Sequence, residues 1–193
     1  MRDAQYANAG VTTATITNLG SQTVVLKHTV ADATDTNDSD GPKVTITGAT
    51  DTASDSINIT LDAAGRSSGG ATKGYNAVDV ANFETVNIET AKSTDGVTVT
   101  TGEIQTLTAT SATSVVLTGA ADVFLGSVTG GAMTSFDASA VTGKVDVGFG
   151  TNDKITATAS ATKDTVFKFG TTLNNDDTVV GGTSTKDEVT ATL

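Results

Sequence analysis

Ser56-Ile57-Asn58-Ile59-Thr60-Leu61-Asp62 sets an aliphatic side chain at every second position and a polar one between. That alternation is the period-2 signature of a strand with one face in a core and the other in water. The word returns as VTTATIT at residues 11–17, KVTIT at 43–47, TVNIET at 85–90, GVTVTT at 96–101 and KITATA at 154–159. Alternation along the chain predicts about fifteen short strands, their starts spaced by about ten residues. Turn signals such as NLG, TDG, TGG, GTND and NNDD stand between them. The nearest helical candidate, residues 75–83, is too short and too β-branched to be a helix.

The connections choose between architectures. A β-sandwich is built from hairpins, which favour two-residue Asn-Gly or Asp-Gly loops. Of the two Asp-Gly pairs, Asp40-Gly41 closes the long acidic stretch, and only Asp95-Gly96 fits that pattern. The commoner pattern is strand, small-residue bend, strand. It predicts an all-β chain folded as a right-handed parallel β-solenoid with rungs of about twenty residues; the alternative is a β-sandwich. The solenoid is expected to run through residues 1–193 as one elongated unit. Loop excursions are expected at residues 30–42, which are acidic, and 62–77, which are Gly/Ser-rich.

Composition agrees with a narrow interior. Aromatic residues are 4% of the chain and Trp is absent, so Val, Ile, Leu and Ala are expected to fill it. Ladders of Thr and Asn on successive rungs would compensate for the missing aromatic core. A single Pro removes almost no ladder donor.

The net charge is −11, and the 11 Lys and Arg form no basic cluster, which excludes nucleic acid as a partner. No stretch approaches the roughly 20 apolar residues of a membrane-spanning helix. The first ten residues contain no apolar run of the kind found in a signal peptide. The chain is therefore either cytosolic or a fragment of a longer exported protein, and its abrupt entry into a strand favours the fragment. With no Cys, disulfides, thiolate metal sites and Cys nucleophiles are excluded. The one His, His28, sits between Lys27 and Thr29 in a strand word and reads as an exposed strand position. No G-x-S-x-G elbow is present, and nothing in the sequence gathers carboxylates with aromatic sugar platforms. The chain is expected not to be an enzyme.

Asp-bearing turns in the last third carry the remaining chemistry. Gly150-Thr151-Asn152-Asp153, Lys163-Asp164, Asn174-Asn175-Asp176-Asp177 and Lys186-Asp187-Glu188 each lead into a strand word. Gly before Asp in a turn is the arrangement of calcium-binding β-rolls, where turn carbonyls and the Asp carboxylate complete an oxygen cage. Asn152, Asp153, Asp164, Asp177 and Asp187 are thus candidate ligands for weakly held Ca²⁺. Asp also caps turns without any metal, and both roles stay open.

Asn82-Phe83-Glu84-Thr85-Val86-Asn87-Ile88, Ile104-Gln105-Thr106-Leu107-Thr108-Ala109-Thr110 and Ser114-Val115-Val116-Leu117-Thr118-Gly119 lead in order to Thr134-Ser135-Phe136-Asp137-Ala138-Ser139-Ala140-Val141-Thr142-Gly143. This series resembles the C-terminal assembly region of bacterial S-layer proteins exported by type I secretion, and related repeat-rich adhesins. Residues 176–193 resemble that family's calcium-binding β-roll repeats in degenerate form. The resemblance covers residues 78–193. It implies an extracellular, cell-surface structural protein that self-assembles through lateral contacts into a lattice stabilised by calcium. Any contact with cell-surface polysaccharide would fall to another part of the parent protein. The alternative is a ligand-binding module of a bacterial adhesin.

Overall fold

In a computed structural model, the structure describes residues 2–6, 13–28, 43–62, 74–91, 101–150 and 154–192. Their regular structure is entirely β. The strands of the first half are β1 (Arg2–Tyr6), β2 (Thr13–Leu19), β3 (Thr23–His28), β4 (Lys43–Gly48), β5 (Ser56–Asp62), β6 (Tyr75–Ala81), β7 (Thr85–Ala91) and β8 (Thr101–Ala109). Those of the second are β9 (Ser114–Gly119), β10 (Asp122–Thr129), β11 (Ser135–Val141), β12 (Val145–Phe149), β13 (Thr156–Thr158), β14 (Thr165–Gly170), β15 (Thr178–Val180) and β16 (Glu188–Ala191). Odd-numbered strands form one eight-stranded sheet and even-numbered strands the other, each in monotonic order. Every pairing among the described strands is parallel. A sandwich of hairpins is therefore excluded. The chain alternates between two facing sheets and climbs one rung per pair of strands, which is a parallel β-solenoid.

Two details depart from the sequence reading. The excursion expected at 62–77 is narrower, since Asp62 closes β5 and Tyr75 opens β6. The strand predicted to start at Gly96 and the acidic loop at 30–42 lie outside the described residues except at residue 101, where β8 begins. The rung period also changes along the chain. Residues hydrogen-bonded across neighbouring rungs are 29 apart at Asn58 and Asn87 but 22 apart at Ile155 and Asp177.

The alternation stacks the aliphatic residues into columns. On the odd sheet Ile57, Val86, Val115, Phe136, Ala157 and Val179 are successive partners. On the even sheet Tyr75, Ile104, Leu125, Val147, Phe167 and Val189 are partners in the same way. Members of both columns are buried until the last, where Val179 is 37% and Val189 46% exposed. A buried aliphatic side chain stabilises by about 1.5–3 kcal/mol, so these columns are the main source of cohesion.

The expectation of an interior without aromatics fails in the second half. Phe136, Phe149, Phe167 and Phe169 are buried together, with ring centroids 4.8–6.1 Å apart. They sit where rungs are shortest, and Ala157, the register partner of Phe136, is buried beside it. The polar ladders are present as expected. Asn87 Nδ2 donates to Asn58 Oδ1 at 3.0 Å. At one corner the N–H groups of Thr113, Thr134 and Thr156 donate to Glu84, Thr113 and Thr134 carbonyls in turn.

Candidate functional site

The Asp-bearing turns form a series of corner caps. Asp177 Oδ1 accepts the Ile155 N–H of the preceding rung at 2.9 Å, and its Oδ2 accepts Asn174 N–H at 2.8 Å. Asp187 Oδ1 accepts Thr165 N–H at 3.0 Å and its Oδ2 accepts Gly182 N–H at 2.9 Å. Asp122 Oδ1 accepts Lys144 N–H at 2.8 Å from the following rung. Asp55 repeats the theme on a longer rung: its carboxylate accepts Thr52 N–H and Oγ1–H, while its own N–H donates to Glu84 Oε2. In each corner the backbone leaves a ladder and exposes an N–H. A carboxylate supplies a charge-assisted acceptor that joins adjacent rungs.

Asp164 does something different. Its Oδ1 accepts the Ser184 hydroxyl at 2.7 Å and its carbonyl accepts Val145 N–H. Asn152 and Asp153 lie outside the described residues. The structure thus places Asp164, Asp177 and Asp187 at corners of neighbouring rungs without converging them. Among the described residues, no three Asp, Glu or His side chains come together as a cation cage. Both oxygens of Asp177 and of Asp187 already accept N–H groups.

A second feature lies on the outer face of the even-numbered sheet. The register stacks Glu103, Phe124, Asp146, Val166 and Glu188 in one outward row. Beside it, at the strand entrances, Asp122, Lys144, Asp164 and Lys186 follow one another in alternating sign, one per rung. Between these rows runs a groove of about 430 Å³ floored by Phe124 and Val166. Lys168, outside the groove's lining, pairs with Asp146 at 2.6 Å, with Nζ 5.7 Å from the Phe124 ring centroid. Glu103 is 3% exposed, and its carboxylate accepts a hydrogen bond from Gln105 Nε2.

Two glycines keep the neighbouring row low. A Cβ on Gly148 would meet the Gly126 carbonyl oxygen at 2.1 Å, and one on Gly126 would meet the Gln105 carbonyl oxygen at 2.7 Å. They lie next to a register shift in β10 between Leu125 and Val128.

Sequence reasoning missed this grouping of an aromatic ring with carboxylates. The signal was local and readable: Phe124 stands between Val123 and Leu125, and Asp146 between Val145 and Val147, so alternation turns both outward. Their adjacency depends on the rung period, which no single strand word reveals. Compared with protein-family models, with curated proteins and with solved structures, the chain matches none.

Proposed function

We propose that this chain is a structural segment of a bacterial surface layer, exported to the cell exterior, where copies associate into a lattice. The observation that carries this reading is the position of the exposed apolar side chains. Among the described residues the large hydrophobics that stand exposed are Val179, Val180 and Val189, and all three lie on β15 and β16. Val179 and Val189 are the last members of columns buried everywhere else, beside strand edges whose N–H and C=O groups face outward. Such a surface is complementary to another rung of the same period, and a second copy of this chain offers one.

Calcium enters this reading from the family resemblance and from charge. Copies with a net charge of −11 repel one another. Divalent cations drawn to acidic turns such as Asp176, Asp177, Asp187 and Glu188 would screen that repulsion between copies. The corner caps would serve as supports for the turns, with cation contacts added on their remaining lone pairs.

The test is electron microscopy and analytical ultracentrifugation of the 193-residue chain with Ca²⁺ and with chelator. Ordered arrays or filaments in Ca²⁺, abolished by Val179→Asp combined with Val189→Asp, are expected. A monomer at all concentrations under both conditions would reject the reading.

A further inference from the structure

The groove on the even-numbered sheet joins two properties that rarely suit the same ligand. Its floor is mostly apolar, with the Phe124 ring and the Val166 side chain on either side of Asp146. Its rim is a ladder of unlike charges, Asp122, Lys144, Asp164 and Lys186, repeating at the rung spacing of about 4.8 Å. The alternation cancels at long range, so the rim steers neither a polyanion nor a polycation. At short range it offers acceptors and donors in turn. A hydroxyl group suits such a rim, since one oxygen both donates to a carboxylate and accepts from an ammonium.

A pyranose has both faces of this description, an apolar C–H face and a rim of hydroxyls. The ring of Phe124 is half-buried and held in place from one side by Lys168 and Asp146, so it is a rigid platform for such a face. Neither Lys144 nor Lys186 makes an ion pair among the described residues. Their ammonium groups are therefore available at the rim. Glu103, nearly fully buried, closes one end of the floor with a carboxylate steadied by Gln105. Gly126 and Gly148 leave no Cβ in the adjacent row. The volume, about 430 Å³, lies in the range of sites that enclose small ligands.

We propose that this groove binds a short neutral oligosaccharide, with one sugar ring stacked on Phe124 and its hydroxyls bridging Lys144 and Asp146. The proposal stands apart from the lattice reading, because it concerns a sheet face and not the terminal rung. It would let an assembled surface hold glycan along its length.

The test is a nuclear magnetic resonance titration of the isotopically labelled 193-residue chain with cellobiose, maltotriose, chitobiose and galactobiose. Saturable shift changes confined to amides of β8, β10, β12 and β14 are expected for at least one of them. Phe124→Ala should weaken that Kd by about tenfold or more. Lys144→Ala, which removes an exposed side chain, should weaken it several-fold while leaving the melting temperature unchanged. Glu89→Gln, on the opposite sheet, should leave the Kd as it is. Saturable binding that survives both groove variants overturns the proposal. So does the absence of saturable change with every sugar.

Discussion

Replacing Asp177 by Ala separates a turn cap from a metal ligand. The Asp177 carboxylate accepts two backbone N–H groups, one from Ile155 on the preceding rung and one from Asn174 in its own turn. Alanine leaves both without that acceptor. A hydrogen bond to a charged group contributes about 1.5–3 kcal/mol when its loss orphans a buried partner. The Asn174 bond is exposed, so water replaces most of it, whereas the Ile155 bond is partly buried and carries most of the loss. The expected destabilisation is about 2 kcal/mol. At about 2–4 °C per kcal/mol for a chain of this size, Asp177→Ala should lower the melting temperature by about 4–8 °C. Asp177→Asn retains one acceptor oxygen and should lose about half as much. The assay is thermal denaturation followed by circular dichroism in the presence of chelator, which removes any cation contribution and reads the cap alone. Hydrogen exchange should show the Ile155 amide opening first, since rungs contact only their neighbours. A melting curve for Asp177→Ala that overlays the wild type in chelator would refute the capping argument. So would a deficit that exists only when Ca²⁺ is present.

Gly119 has φ +111°, and a Cβ there would sit 2.2 Å from the Thr90 carbonyl oxygen, so Gly119→Ala should cost more than about 2 kcal/mol in urea denaturation. A stability within about 0.5 kcal/mol of wild type would contradict that corner geometry. Phe136→Ala removes one ring of the buried cluster and should cost about 3–5 kcal/mol, with exchange protection lost first in β11 to β14. Uniform loss across the chain would argue that the rungs do not act as neighbours. Millimolar Ca²⁺ should raise the melting temperature by several degrees, and Mg²⁺ by much less, because weak extracellular sites have Kd of about 10⁻⁴ to 10⁻³ M. Identical curves with Ca²⁺ and with chelator would remove calcium from the proposed function.

Strand identity was legible because it is a local property. Val, Ile and Thr at alternate positions favour extended backbone and decide which face is buried, so strand starts such as Thr23, Lys43, Ser56, Thr85, Ser114 and Asp122 coincide with those observed. The near-absence of hairpin turns pointed to parallel stacking for the same reason: a turn type is set by the residues within it. What the turns could not show is the role of each carboxylate. Asp177 and Asp187 reach N–H groups 22 residues away. That distance is the rung period, and only the closed stack establishes it.

The aromatic cluster and the groove were hidden by the same cause. Phe136, Phe149, Phe167 and Phe169 are isolated in sequence and adjacent in space because their inward positions on facing sheets fall on neighbouring rungs. Outside, Phe124, Asp146 and Lys168 meet by the same stacking on the opposite face of their strands. The sequence by itself determined which residues form strands and which of their faces turn inward, since alternation and turn chemistry act over a few residues. The tertiary structure alone decided which rung lies on which. Register depends on the lengths of the corners and on how side chains pack across two sheets, and those are sums over residues distant in the chain.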